Sequence, residues 1–471
     1  MEKKSSFFTG KLFFADRQYF FFNTIPGTIN KIDDNIVSIF DEYCNPQGGF
    51  DIPRFSTNAG DLRPIIRNPY TSAEIKETLN RKLRLLVLEL TSSCNMSCEY
   101  CINGVAYNQK DCLISKNLSK EASFDAVDYL LNHSQDQVKP LAISFYGGEP
   151  TLRYPLLKEI IIYAKSQASS KGKEMVFSIT TNGTLLTREI IEFLIEHSVQ
   201  LVISLDGPEE INDRFRKLKN GDGTYHSIIK ILQMIKDTNA AYFNLLVRCS
   251  VVVMPGANLT ELASFFNELH VNLIVNYVDT YGLDDAKFRK TTYSDSIESL
   301  KNSLTERLLK EGAGILSDTS SHKDFSIALL SPMLKRFLEP KPSSQFMGLG
   351  QCIPGASRLY LSVDHFFYPC EKLAGHSFAR IGNIETGIDE EKSEYLINQF
   401  YEMANSKCTG CWISSRCSAC LALAISGDHI DKKKFNHYCN GTKSWGVSNL
   451  KMMAKAKLHL NDKPEVLSQS Q

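Results

Sequence analysis

Cys94, Cys98 and Cys101 stand in the pattern C-x3-C-x2-C. They follow an apolar run at residues 85–90 that reads as a buried parallel strand. Three thiolates on a tight loop can hold three irons of a four-iron cluster. Four cysteines are the usual complement, so the trio leaves one iron without a protein ligand. An open position on a metal marks chemistry rather than structure, as in catalytic zinc sites. A structural zinc would want a fourth cysteine or histidine close by, and Glu99, Tyr100, Ile102 and Asn103 offer none.

A second cysteine group lies towards the end of the chain. Cys352 and Cys370 flank an expected hairpin; Cys408-x2-Cys411-x5-Cys417-x2-Cys420 and Cys439 follow. Taken by themselves, such C-x2-C pairs favour two zinc sites.

The elements that position these thiols alternate at the rhythm of βα units. Residues 141–146 form a short apolar run that ends in Gly147-Gly148-Glu149-Pro150, and Leu156, Ile160 and Ile161 then share a helical face. A strand at 175–180 ends in Thr181-Asn182-Gly183, and one at 201–205 ends in Asp206-Gly207-Pro208. Residues 247–253 and 273–278 read as two more. Glycine-bearing polar clusters at the carboxyl ends of parallel strands sit where barrels build their sites. Alone, Gly-Gly-Glu-Pro also reads as a helix-initiating turn with proline at N1. Arg216, in Asn-Asp-Arg-Phe-Arg, reads either as an anion-pairing guanidinium or as a solvated helix charge.

Composition narrows the class. At 471 residues two or three domains are expected. Lysine plus arginine (53) balances aspartate plus glutamate (53), so no basic field points to nucleic acid. Lys11, Asp16 and Arg17 break the aromatic N-terminal stretch, leaving neither a signal h-region nor a membrane span. Thirteen cysteines without a secretion signal fit a reducing cytoplasm and metal ligation. Before the barrel pattern, residues 11–15 and 19–23 read as two phenylalanine-rich strands. Asp33 or Asp34 then caps an expected helix with Ile36, Ile39, Phe40 and Tyr43 on one face.

The cysteine trio, with Tyr100 in the aromatic slot of C-x3-C-x-aromatic-C, resembles the signature of the radical S-adenosylmethionine (SAM) superfamily. Gly147-Gly148-Glu149-Pro150 matches the motif whose backbone meets the methionine end of SAM. Missing Cβ atoms would let that backbone approach the ligand. By the same resemblance Asn182 and Ser204 face the ribose, and Arg216 pairs with the SAM carboxylate. The free iron would chelate SAM, and cleavage would release a 5′-deoxyadenosyl radical. The cofactor carries that chemistry and the protein positions it.

The later cysteines, with Tyr368-Pro369-Cys370 before Gly382-Asn383-Ile384, resemble the SPASM extension with its two auxiliary four-iron clusters. Carried over, Cys408, Cys411, Cys417 and Cys439 complete one cluster, while Cys352, Cys370 and Cys420 hold the other one ligand short. Cys44, Cys112 and Cys249 remain. The chain departs from the family in the C-x2-C spacing of Cys417 and Cys420, and in His365 where glycine is usual. His365 is expected in a left-handed turn.

The resemblance implies an α/β fold: a partial (β/α)6 TIM-like barrel with a winged-helix-like α+β unit before it and a SPASM domain after it. The expected divisions are 1–80 for leader-peptide capture, 81–315 for the barrel, 316–345 as a bridge, 346–445 for the clusters and 446–471 as a tail. Within SPASM enzymes the chain resembles the thioether-forming (sactipeptide and ranthipeptide) maturases. The implied partners are a cysteine-rich precursor peptide with a leader, captured by strand addition, and an electron donor such as flavodoxin or ferredoxin. No nucleic acid or membrane partner is implied. The runner-up is the anaerobic sulfatase maturase, in which an aspartate base follows the Tyr-Pro-Cys segment; here that position is Glu371, the candidate catalytic base. A non-catalytic zinc or iron–sulfur protein is the third reading.

Overall fold

The computed structural model describes residues 10–15, 18–23, 28–32, 65–66, 68–102, 115–281, 294–316, 323–338, 346–347, 352–409 and 411–456. Its centre is a mixed α/β assembly around one parallel sheet. Six strands lie in sequence order, each parallel to the next: Leu85–Glu89, Leu141–Tyr146, Met175–Thr181, Gln200–Ser204, Val247–Val253 and Asn272–Tyr277.

The alternation of burial along these strands separates two faces. Ile143, Phe145, Phe177, Ile179, Leu201, Ile203, Cys249 and Val251 are buried in the main core shared with the surrounding helices. The other face is polar and half-buried, with Ser144, Tyr146, Ser178, Ser204 and Ser250 on it. Register keeps these side chains abreast: Glu89 pairs with Tyr146, Ser144 with Ser178, and Ser204 with Ser250. This inner face is the wall of the candidate site.

The expected hairpin joins this same sheet. Arg358–Leu361 runs parallel to Leu85–Glu89, and Phe367–Tyr368 pairs antiparallel beyond it. The cysteine-rich region is thereby bonded to the first barrel strand. His365 turns the hairpin with φ +66°, the left-handed conformation expected of it. At the opposite edge the helix Phe325–Leu338, in the expected bridge, packs on Asn272–Tyr277.

The N-terminal strands form a three-stranded antiparallel meander, Gly10–Ala15, Gln18–Asn23 and Thr28–Ile32. The third strand was not expected; the helix expected after Asp33 lies outside the described residues. Fully buried Phe22 sets its ring 5.5 Å from that of Phe337 and 6.3 Å from that of Trp412. The meander therefore docks on the bridge and the cysteine-rich region. The final helix, Lys432–Lys455, runs past the boundary expected at 445. It does so because Leu450, Met452 and Met453 are buried against the core. No helix of the described residues is long and apolar enough to cross a membrane.

Candidate functional site

The loop after the first strand is held by the segment after the second. Leu90 N–H donates to Tyr146 O at 3.0 Å, Gly148 N–H to Thr91 O at 2.8 Å, and Glu149 N–H to Ser93 O at 2.8 Å. Gly147 has φ +135°, a conformation that favours glycine. A Cβ on Gly148 would lie 2.1 Å from Ser93 O. The structure thus gives these glycines a partner that sequence reasoning did not: the backbone leading into Cys94.

Glu149 is buried and braces this loop against the third strand. Its Oε1 accepts from Thr151 N at 3.0 Å, Thr151 Oγ1 at 2.6 Å and Thr181 Oγ1 at 2.7 Å, and its Oε2 from Asn182 N at 2.8 Å. The Asn182 amide donates to Asn95 Oδ1 at 2.8 Å and reaches Cys94 Sγ at 3.8 Å. Met96 N–H also points at Cys94 Sγ, at 3.3 Å. Donors aimed at a cysteine sulfur tune a cluster held there. Ser204 sits half-buried on the inner face, at the end of the fourth strand.

The three thiols share one electrostatic environment. Burial pushes the Cys98 thiol up to about 12; Arg216 draws it down, and Cys101 and Cys94 raise it. Burial likewise raises Cys94, with Glu149 and Cys101 adding to the effect. Such thiols need a metal's charge to stay deprotonated. Among the described residues no three His, Cys, Asp or Glu side chains converge as for a single ion. A four-iron cluster seats each ligand on its own iron and needs no such convergence.

Tyr100 is buried, and its hydroxyl donates to Asp206 Oδ2. Arg216 Nη1 donates to the same hydroxyl at 2.7 Å. Asp206 Oδ1 accepts from Val252 N at 3.0 Å. Arg216 is 6% exposed, which removes the solvated-charge reading, and its buried Nε has no protein partner. Burial raises the Asp206 carboxyl above its usual range, while Arg216 and Tyr100 draw it back. The spare guanidinium donor beside Cys98 is the chemistry an amino-acid carboxylate would meet. Thiols, sulfur-directed donors and orphaned guanidinium together fit a four-iron cluster with SAM.

The seven later thiols divide into two sets. Burial raises Cys408, and the neighbouring Cys411, Cys417 and Cys439 raise it further. Burial pushes Cys370 up to about 12, and Glu371, Cys420 and Cys352 raise it further. Of the leftover cysteines, Cys249 is buried on the helix-facing side of the fifth strand. Cys44 and Cys112 lie outside the described residues. A Cβ on Gly446 of the final helix would lie 2.8 Å from the Trp412 ring, so glycine there admits the indole that follows Cys411.

Glu371 is held by Arg358, whose Nη1 lies 3.2 Å from both carboxylate oxygens. Burial raises the Tyr146 and Tyr360 hydroxyls, and the Glu371 charge adds to both. Tyr360 in turn bonds Glu89 at the end of the first strand. Sequence reasoning missed Glu89, Asn95, Tyr146 and Tyr360, and it placed Asp206 in a polar cluster at a strand end without giving it a role. Glu89, Tyr146 and Asp206 share the one available signal: each lies at or just beyond the carboxyl end of a parallel strand.

Residues 88–269 match the model of the radical SAM superfamily. The chain is 33% identical over 206 residues to an uncharacterized protein of Methanocaldococcus jannaschii, covering 44% of this chain and 62% of that one. It is 26% identical to the radical SAM cyclopropyl synthase TigE of Paramaledivibacter caminithermalis, covering 45% of this chain and 50% of TigE. The chain thus spans only half to three-fifths of the length of those two relatives. Similarity to the cysteine-type anaerobic sulfatase-maturating enzyme of Clostridium perfringens, 24% identical, covers 77% of this chain and 95% of that enzyme. A solved structure of anSMEcpe with bound AdoMet shares the fold, with TM-score 0.59, 22% identity, and coverage of 80% of this chain and 96% of that one.

Proposed function

From a chain that matches the radical SAM superfamily model, we infer a peptide maturase that installs thioether crosslinks, cysteine sulfur to carbon, in a ribosomally made cysteine-rich precursor. The observation that carries this reading is the division of the later thiols into four and three. Four cysteines close a cluster. Among the described residues three thiols stand together and leave one position, which suits a thiolate of the substrate. The reading therefore holds three four-iron clusters: one at Cys94, Cys98 and Cys101, one closed and one open.

When bound, SAM and the clusters supply hydrogen-atom abstraction from an unactivated carbon and a sink for one electron. The chain's residues do the rest. Glu149 and Asn182 fix the loop of Cys94. Arg216 offers its free Nε to the SAM carboxylate. Glu371, beside Cys370 and oriented by Arg358, takes the proton that the substrate thiol must lose. The N-terminal meander is the element assigned to capture of a leader peptide, by strand addition. The setting is the cytoplasm, with a flavodoxin or ferredoxin as electron donor.

A second reading, formylglycine formation on a sulfatase, is favoured by the similarity that covers nearly all of the clostridial enzyme. Against it stands Glu371 where that branch uses aspartate. An extra methylene moves the carboxylate, and catalytic geometry tolerates little misplacement.

The test is anaerobic turnover with SAM, reductant and a leader-bearing cysteine-rich peptide, read by mass spectrometry after thiol alkylation. Loss of a hydrogen pair with a cysteine no longer alkylatable is the expected result. Deoxyadenosine release with every cysteine still free would discard crosslinking and make a sulfatase peptide the next substrate.

A further inference from the structure

Asp206 begins the turn after the fourth barrel strand, in an Asp-Gly-Pro sequence that ordinarily reads as turn chemistry alone. Its carboxylate is not spent on the turn. It is 2% exposed, and it accepts from the hydroxyl of Tyr100 and the N–H of Val252. Tyr100 lies between two cluster cysteines, Cys98 and Cys101. Its hydroxyl has one proton to give, which goes to Asp206, and it accepts from Arg216 Nη1 at 2.7 Å. The tyrosine oxygen thus carries a fixed polarity, donor towards the acid and acceptor from the guanidinium. Phenylalanine could fill the same aromatic slot but could not make this link.

The consequence falls on Arg216. It follows the last turn of the helix Glu209–Phe215, and its N–H bonds Asn212 O at 2.9 Å. Asn212 in turn accepts from Asp206 N–H at 3.2 Å. The backbone and side chain of Arg216 are therefore referred to the same residue by two routes. Its charge bears on Cys98, and its Nε is left buried without a protein acceptor.

We propose that Asp206 is the positioning residue of the SAM site: through Tyr100 it orients Arg216, setting both the affinity for SAM and the potential of the cluster at Cys94, Cys98 and Cys101. The proposal rests on the radical SAM reading of those cysteines. A guanidinium next to a cluster ligand favours the reduced cluster, and a nearby carboxylate offsets that charge. Removing the carboxylate should therefore make the cluster easier to reduce. Removing only the tyrosine hydroxyl leaves both charges in place and mainly loosens the guanidinium.

The experiment uses the full chain with its clusters reconstituted anaerobically, as wild type, D206N and Y100F. SAM affinity is measured by equilibrium dialysis, and the midpoint potential by redox titration followed by electron paramagnetic resonance. Both variants should weaken SAM binding by about tenfold, the loss of one buried hydrogen bond to a charged group. D206N should also shift the potential upward, with a smaller shift in Y100F. Unchanged affinity and potential in both variants would overturn the proposal alone. Weakened binding with an unmoved potential and a lowered melting temperature in D206N would reduce Asp206 to a structural role and also overturn it. A wild-type cluster whose spectrum does not respond to SAM would overturn the radical SAM reading, and the proposal with it. Y100F keeps the aromatic packing, so it decides the matter if D206N fails to fold.

Discussion

Glu89 accepts a hydrogen bond from the N–H of Val363 at 3.0 Å, across 274 positions of sequence. This contact fastens the tip of the cysteine-rich hairpin to the end of the first barrel strand, on the face that Tyr146 and Tyr360 share. Burial pushes the Glu89 carboxyl up to about 7, although the Val363 and Tyr360 donors draw it down.

A pH prediction follows from that direction. The folded value lies above the unfolded value of 4.5, so the fold favours the protonated acid. The stability it contributes is fully present below pH 4.5 and is lost as pH rises through about 7. Above pH 7 an ionised Glu89 should cost up to roughly 3 kcal/mol relative to a neutral amide. Glu89→Gln should therefore melt higher than wild type at pH 8.5 and close to it at pH 5. Parallel melting curves against pH would mean that Glu89 ionises alike in both states.

Glu371 should matter to turnover and not to radical generation. As the acceptor of the substrate thiol proton, its loss in Glu371→Gln should lower kcat by about 10²–10⁴. Deoxyadenosine should still form, because the SAM site keeps its own residues. Arg358→Ala, which removes the nitrogen that lies 3.2 Å from both carboxylate oxygens, should show a milder loss. A Glu371→Gln enzyme that crosslinks at the wild-type rate would remove the residue from the mechanism.

The two thiol sets make separable predictions about iron. Three clusters hold about twelve irons. Cys352→Ser should bring the content to about eight, abolish crosslinking, and leave SAM cleavage intact. Cys408→Ser should remove a different cluster, the closed one, with a different spectral loss. Colourless wild-type protein rich in zinc would instead return the chain to a non-catalytic metal-binding class.

Much of this site is legible in local pattern. The six parallel strands announce themselves as short apolar runs, since burial on one face and a polar inner face leave a period of two. The glycine-bearing ends mark where loops must pack closely, and the C-x2-C spacings mark candidate ligands. What stays hidden depends on residues far apart in sequence. Nothing near Arg358 says that Arg358–Leu361 will pair with Leu85–Glu89. Asp206 looks like a turn residue because Asp-Gly-Pro is turn wording. Arg216 reads equally well as solvated because Asp213, Arg214 and Lys217 stand near it in sequence, yet it is buried and bonds Tyr100, 116 positions away. In Thr28–Ile32 the two isoleucines fall at 29 and 32, a spacing of three that hides the strand's period of two.

Gly148 offers the sharpest test of how the cluster loop is held. Its N–H bonds Thr91 O at 2.8 Å, and a Cβ would stand 2.1 Å from Ser93 O and 2.4 Å from its carbonyl carbon. Those atoms are backbone and cannot turn aside as a side chain would. Gly148→Ala must therefore push the segment 91–93 away, and with it the Glu149 N–H bond to Ser93 O. Cys94 follows directly, while the later thiols hang on other elements. The expected result is about eight irons in place of about twelve, no SAM-responsive signal, and intact auxiliary signals. A Gly148→Ala protein that keeps a full complement of iron and binds SAM normally would show that the loop can shift without losing its cluster. The close approach would then serve packing alone.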